Sequence, residues 1–264
     1  MAGPQASPLV SAIDGRDWAC IDWVSDLHLQ AAEPRTAQAF IHYLAQTPAQ
    51  ALFVLGDLFE VWVGDDVLQD PGSELERACI QAMAQASQRL RLYWLPGNRD
   101  FLTRSAFVQA SGATALAEYC QLTLPHEVCL LCHGDGLCLQ DHAYMAFRRQ
   151  VRSEAWQEAF LNQPLAQRQA QARQMREQSM AAHADPSLAH VDVDADEARR
   201  LLLTHGATRM VHGHTHRPAD HDLGGGLSRT VLSDWCLDSP PARAEVLRWR
   251  PGPNGGWQRL PVTG

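Results

Sequence analysis

Histidine is the side chain that most often binds a metal, and 209-RMVHGHTHRP-218 carries three at alternate positions, His212, His214 and His216, around Gly213. In an extended strand all three would share a face, so spacing alone does not choose the ligands. Four further polar motifs each follow a short apolar run: 25-SDLHL-29, 56-GDLFE-60, 96-PGNRDF-101 and 133-HGD-135. With the histidine cluster they offer Asp26, His28, Asp57, Asn98, His133, His214 and His216. Carboxylate, amide and imidazole donors of this kind suit manganese, iron or zinc. The set is too large for one ion. Two ions about 3.5–4 Å apart, bridged by a carboxylate, would use every donor and would clamp the attacking and leaving oxygens of a phosphoryl transfer. Each motif by itself is ordinary turn chemistry; the series of five, each at the end of an apolar run, is what points to a site.

The elements that must position these residues are legible as apolar runs. The segments 18-WACIDWV-24, 51-ALFVL-55, 91-RLYWL-95, 128-VCLLC-132, 209-RMVH-212 and 229-RTVL-232 read as strands. Helix-like segments at roughly 36–46 and 73–90 separate the first three, a β-α-β-α-β series that implies a parallel, helix-covered sheet and an α/β fold. In such sheets ligands bind at the carboxyl ends of the strands, where all five polar motifs emerge. The interval 141–182 breaks the alternation. It is rich in Gln, Ala, Arg and Glu, is interrupted by Pro164, and reads as two helices joined by a turn, within a helical insert of about 141–190. Its apolar positions Tyr144, Met145, Phe147, Val151, Trp156, Phe160 and Leu161 exceed what one surface helix needs, and either pack on the body or line an apolar groove.

Composition sets bounds on the rest. A chain of 264 residues with a hydrophobic fraction of 45% has room for a substantial core. Its net charge of −8 argues against non-specific binding to nucleic acid, which needs clustered cations. All 22 basic residues are arginine, a side chain suited to bidentate phosphate contacts. Seven scattered cysteines do not form a secreted disulfide pattern, and a reducing, cytosolic compartment fits them best. The pair in 129-CLLC-132 lies in a strand-like run where positions i and i+3 face opposite sides, so inert buried thiols are expected. Residues 1–17 lack the basic and apolar regions of a secretory signal and are expected to be a flexible tail before a single domain over 18–264. No apolar run approaches the roughly 20 residues of a membrane span, so any membrane contact would be peripheral.

The order Asp-x-His, Gly-Asp, Gly-Asn, His, Gly-His-x-His resembles that of the calcineurin-like metallophosphoesterases, which implies a β-sandwich flanked by helices. Within that family, 56-GDLFEVWVGDD-66, 97-GNRDF-101 and 213-GHTHRP-218 extend the pattern and are similar to the UDP-2,3-diacylglucosamine diphosphatases of lipid A biosynthesis. The resemblance spans about residues 20–250. It implies two Mn²⁺ ions per chain, one held by Asp26, His28, Asp57 and His216 and the other by Asp57, Asn98, His133 and His214. Asp57 would bridge them. It implies Asn98 and Arg99 at the reacting phosphates, substrate contacts from Asn98, Arg99, Asp141, Ser179 and His214, and a helical insert that serves as a lid over the acyl chains. Where the family has an Asn and a Lys, this sequence has His183 and Pro186. Pro186 carries no cation, so either Arg173 or Arg176 supplies the charge or the register of that segment is shifted. Gly213 is expected to allow a turn after His212, leaving His214 and His216 as ligands and His212 in a supporting role.

The activity so implied is attack of metal-activated water on the α-phosphorus of a UDP-linked diacylated glucosamine, giving UMP and 2,3-diacylglucosamine 1-phosphate. It places the chain peripherally at the cytoplasmic side of the bacterial inner membrane, with no protein partner implied. The same metal site would serve a phosphoesterase acting on another nucleotide or phosphoester. A binding scaffold that had lost activity would lack ligands, and none of the pattern is missing here.

Overall fold

All five residues of 51-ALFVL-55 are buried because the strand they form is covered on both faces. Leu52 and Val54 point toward helices, whereas Ala51, Phe53 and Leu55 point into the space between two sheets. The computed structural model describes residues 10–183, 191–253 and 255–263. Its first half runs β1 (Val10–Asp14), β2 (Ile21–Val24), α1 (Pro34–Gln46), β3 (Ala51–Leu55), α2 (Glu74–Ser87), β4 (Arg91–Leu95), α3 (Ser105–Ser111), β5 (Thr114–Ala115), β6 (Tyr119–Thr123) and β7 (Val128–Leu131). An insert follows, α4 (His142–Val151), α5 (Glu154–Leu161) and α6 (Leu165–His183). The chain closes with α7 (Ala195–Thr204), β8 (Arg209–His212), β9 (Ala219–Gly224), β10 (Leu227–Val231), β11 (Glu245–Arg250) and β12 (Gly256–Pro261).

The strands form two six-stranded sheets, ordered β12-β11-β2-β3-β4-β5 and β1-β6-β7-β8-β10-β9. Strands β2 to β5 are parallel, as the β-α-β-α-β reading requires, with the antiparallel β11 and β12 added beyond β2. The other sheet is mixed. Three apolar layers result. Ile21, Trp23, Phe53 and Leu247 of one sheet meet Leu122, Cys129, Leu131 and Val211 of the other in the centre. Val24, Leu52, Val54 and Trp94 pack outward on the face that α1, α2 and α3 cover, and Leu130 and Met210 pack on the opposite outer face with Leu201 and Leu202 of α7. Cys129 and Cys132 fall in different layers and are both buried and free, as their spacing predicts.

Two expectations are corrected. Residues 1–17 are not tail throughout, because Val10–Asp14 alternates as a strand and pairs in parallel with β6 at the sheet edge. The insert is three helices rather than two: α4 ends at Val151, and the Ser153 hydroxyl accepts the Trp156 N–H to start α5 afresh. Strands β6, β9, β11 and β12 also lie outside the apolar runs. β9 alternates half-buried and exposed residues, so it carries no continuous apolar signal.

One buried charge ties the first sheet to its helix. Register between β11 and β2 sets Arg248 opposite Asp22, and the guanidinium donates to both carboxylate oxygens at 2.7 Å. The hydroxyls of Tyr43 and Thr47 on and after α1 donate to the same carboxylate at 2.6 Å. Removing one partner of such a pair strands the other, so Asp22→Ala is expected to lower stability by about 3–5 kcal/mol. The urea midpoint of the purified variant measures this.

Candidate active site

Five loops leave the carboxyl ends of β2, β3, β4, β7 and β8 and bring Asp26, His28, Asp57, Asn98, His133, His214 and His216 together. Among the described residues, the non-glycine residues with positive φ are Asp26 (54°), His28 (48°), Asp57 (52°), His214 (67°) and His216 (53°), all of them expected ligands. Non-glycine residues rarely hold this left-handed conformation unless their surroundings impose it, and such strain collects at functional sites. Two glycines permit the crowding. A Cβ on Gly97 would collide with the Asp57 carboxylate, and one on Gly213 with Asp26 Oδ2 and Ser25 Oγ. Gly213 therefore acts by close approach. In the turn after His212 the left-handed conformation is held by His214.

Polar neighbours mark which nitrogen of His28, His133 and His216 faces the cluster. His133 Nδ1 lies 2.9 Å from the Leu55 carbonyl, which can only accept, so Nδ1 carries the proton and Nε2 turns inward. His28 Nδ1 lies 2.9 Å from Glu60 Oε2, which likewise leaves Nε2 facing inward. His216 Nδ1 is 3.6 Å from Asp234 Oδ2. His212 differs. Its Nδ1 donates to the Gly213 carbonyl at 2.8 Å and its Nε2 faces Arg229 at 3.4 Å, so it is a buried support with no nitrogen turned to the cluster.

The inward atoms form two groups. His28 Nε2 and His216 Nε2 are 3.2 Å apart, and Asp26 Oδ1 lies 3.9 Å from the first and 3.4 Å from the second. Asn98 Oδ1 is 2.9 Å from both His133 Nε2 and His214 Nδ1, with Asp57 Oδ1 3.6 Å from the former. Asp57 Oδ2, 4.0 Å from His28 Nε2, reaches the first group as well, the place of a bridge. The donors fit divalent ions on two grounds. Asp26 Oδ1 is fully buried with no hydrogen-bond donor, and Asn98 Oδ1 and His133 Nε2 meet as two acceptors at a distance that needs a cation or proton between them.

Charge shapes the same atoms. Burial works against the charged form of His28, but Glu60, Asp57 and Asp26 outweigh it and raise its pKa to about 9. His133 is also raised, by Asp57 and Asp26 against burial. Burial and then the neighbouring His133 push His214 down to about 3, and burial with Arg229 pushes His212 to about 4. Despite complete burial, Asp26 is held below the usual carboxylate range by His216, His133 and His28.

A family model for calcineurin-like phosphoesterases matches residues 21–218. The chain belongs to the calcineurin-like phosphoesterase family. A UDP-2,3-diacylglucosamine hydrolase from Chromohalobacter salexigens is 40% identical over 239 residues, covering 89% of this chain and 90% of its own. Proteins of the same name from Aromatoleum aromaticum and Aeromonas hydrophila are each 42% identical, over 86% and 87% of this chain and 91% and 94% of theirs.

The remaining residues expected of a calcineurin-like phosphoesterase of this kind fall as follows. Arg99 donates its backbone N–H to Asp57 Oδ1 at 2.8 Å, and its Nε is buried without an acceptor. Asp141 is buried and caps α4, accepting the Tyr144 N–H at 2.9 Å. Ser179 and His183 fall on the part of α6 from residue 177 onward, whose side chains lie outside the described residues, and Pro186 lies outside them altogether. Arg173 is exposed, whereas Arg176 pairs with Glu60 at 3.0 Å. Three supporting acids escaped the sequence reading: Glu60 behind His28, Asp234 behind His216, and Asp100. Asp100 accepts the backbone N–H groups of Gly97 and Leu58 at 2.7 and 2.9 Å and so ties the β4 loop to the β3 loop. Glu60 and Asp100 sit inside the quoted motifs, three and two residues after Asp57 and Asn98, which was the available signal.

Because His28 keeps its proton up to about pH 9 in protein stripped of metal, a divalent ion must displace that proton. Metal affinity is therefore expected to rise by about tenfold per pH unit from pH 6 toward 9 and to level off above it. Calorimetric titration with manganese in two buffers of different ionisation enthalpy measures both the slope and the proton released.

Proposed function

We propose that this chain hydrolyses the pyrophosphate bond of UDP-2,3-diacylglucosamine, releasing UMP and 2,3-diacylglucosamine 1-phosphate in lipid A biosynthesis, with manganese as the metal. One observation carries the reading: relatives named for that substrate match at about 40% identity over a share of the chain too large to leave out the whole insert α4–α6. Bound divalent ions supply Lewis acidity, lowering the pKa of a water and neutralising phosphoryl charge.

The chain's own residues supply position. Asp57 would join the two groups of donors, and the fixed tautomers of His28 and His133 hold their inward nitrogens ready. Arg99 has the guanidinium fork and the unmatched Nε to hold a phosphoryl oxygen and to stabilise charge developing there. Asn98, with its amide between His133 and His214, orients the reacting phosphate.

We read the chain from Val10 onward as one domain, β1 included, with the insert as its lid and α5 as the root of that lid. Phe160 is buried and Trp156 and Leu161 pack on the core beneath, so this part is anchored apolar surface. On α4, by contrast, Phe147 is 40% exposed and the Tyr144 ring stands 5.9 Å from that of His214. That face is where acyl chains would lie, with Asp141 and Ser179 as the proposed contacts of the glucosamine. No helix among the described residues is long and apolar enough to cross a membrane. A peripheral position at the cytoplasmic side of the inner membrane, reached through the lid, suits a lipid substrate.

Turnover of UDP-2,3-diacylglucosamine with manganese in ¹⁸O water is expected to place label in UMP. Label in the diacylglucosamine phosphate would exclude attack at the α-phosphorus, and no turnover at any manganese concentration would favour a binding scaffold. In the same assay Asp57→Ala is expected to abolish hydrolysis, and Arg99→Ala to lower kcat by about 100- to 1000-fold. Circular dichroism checks that both variants fold.

A further inference from the structure

Helix α6 carries little apolar character on any face, yet it is docked. Leu165, Arg168, Ala172 and Arg176 recur at spacings of three, four and four and so share one side. Leu165 and Ala172 pack on the core beneath, and Arg168 is 2% exposed. The Arg168 guanidinium donates to Asp66 Oδ1 at 3.0 Å and also to the Val63 carbonyl. Two arginines thus stand where a docked helix normally has aliphatic residues. Arg168 anchors α6 at the segment after β3. Arg176, about two turns further along, reaches the metal cluster.

Its partner there is Glu60, which is 7% exposed. Oε1 of Glu60 lies 3.0 Å from Arg176 Nε and 3.9 Å from Arg99 Nη1, while Oε2 lies 2.9 Å from His28 Nδ1. The Glu60 backbone N–H donates to the Leu29 carbonyl, so the residue is fixed from its own chain as well. One carboxylate therefore meets a metal ligand, the arginine expected at the phosphates and the insert.

We infer that Glu60 is a positioning residue that couples the insert to the metal site: one oxygen orients His28 for metal, and the other latches α6 through Arg176. A carboxylate behind a ligating histidine fixes the ring and strengthens its binding, and losing it typically costs about 10- to 100-fold in metal affinity. The same loss releases Arg176, so the insert and the metal site respond together. The inference rests on the two-metal site and not on which phosphoester is cleaved.

The test therefore uses no substrate. Manganese is titrated by calorimetry into the full-length protein and its Glu60→Gln and Arg176→Gln variants, and amide hydrogen exchange is followed over residues 165–176. Glu60→Gln is expected to weaken one class of manganese site by about 10- to 100-fold and to speed exchange in α6. Arg176→Gln is expected to speed exchange in α6 while manganese affinity stays within about threefold, and Glu60→Asp to recover part of both effects. Wild-type manganese affinity in Glu60→Gln, or unchanged exchange in α6 in both Gln variants, would overturn the coupling. Should Glu60→Gln fail to fold, Glu60→Asp decides: unaltered affinity and exchange there would also overturn it. Loss of UDP-2,3-diacylglucosamine turnover with these binding results intact would instead count against the proposed substrate.

Discussion

Five of the seven expected ligands hold left-handed backbone conformations, and each such residue costs on the order of 1–3 kcal/mol unless its surroundings impose it. The surroundings here are two sheets packed face to face through a fully apolar centre, with a helical layer on each outer side. Loops from the carboxyl ends of β2, β3 and β4 in one sheet and of β7 and β8 in the other meet above that centre. Gly97 and Gly213 let the backbone of one loop touch the carboxylate of the next, and Asp100 cross-links the β3 and β4 loops through two backbone amides. The strain in the ligand loops is sustained by the apolar burial beneath them.

Electrostatic order follows from that crowding. Two buried carboxylates, Asp26 and Asp57, sit among the imidazoles, and the rings differ by what stands beside them. His28 and His216 are backed by carboxylates, His133 by a carbonyl, and His212 by its own turn and Arg229. Burial lowers His212 and His214, with Arg229 and His133 respectively adding to it, whereas at His28 the carboxylates Glu60, Asp57 and Asp26 outweigh burial and raise it. Arg99 joins the cluster through its backbone N–H and through Nη1 near Glu60, and its buried Nε has no acceptor.

The insert shows how far a sequence pattern can be read. Its existence was visible as a break in the α/β alternation, and its apolar residues were too many for a surface helix. The choice between packing and groove was not visible, because both use the same residue types. The fold divides them: Trp156, Phe160 and Leu161 pack on the core, whereas Phe147 stays exposed on α4. Helix α6 was legible as a helix but not as a docked one, since arginine at its contact positions erases the apolar stripe. The ten-residue reach of the first helix was set by Ser153, a cap too small to register inside a Gln- and Arg-rich run.

By itself the sequence determined the α/β class, the places of the central strands and the family, and it named seven candidate ligands, because each depends on short-range pattern: an apolar run ends, and an Asp, Asn or His follows. It also separated Cys129 from Cys132, since strand alternation is local. Tertiary structure alone decided that Val10–Asp14 is a strand, because an edge strand is defined by the neighbour it pairs with. It decided as well that Glu60, Asp100 and Asp234 stand behind the ligands. Those roles are contacts between residues far apart in the chain, such as Arg176 with Glu60 or Asp234 with His216, and no local spacing encodes them.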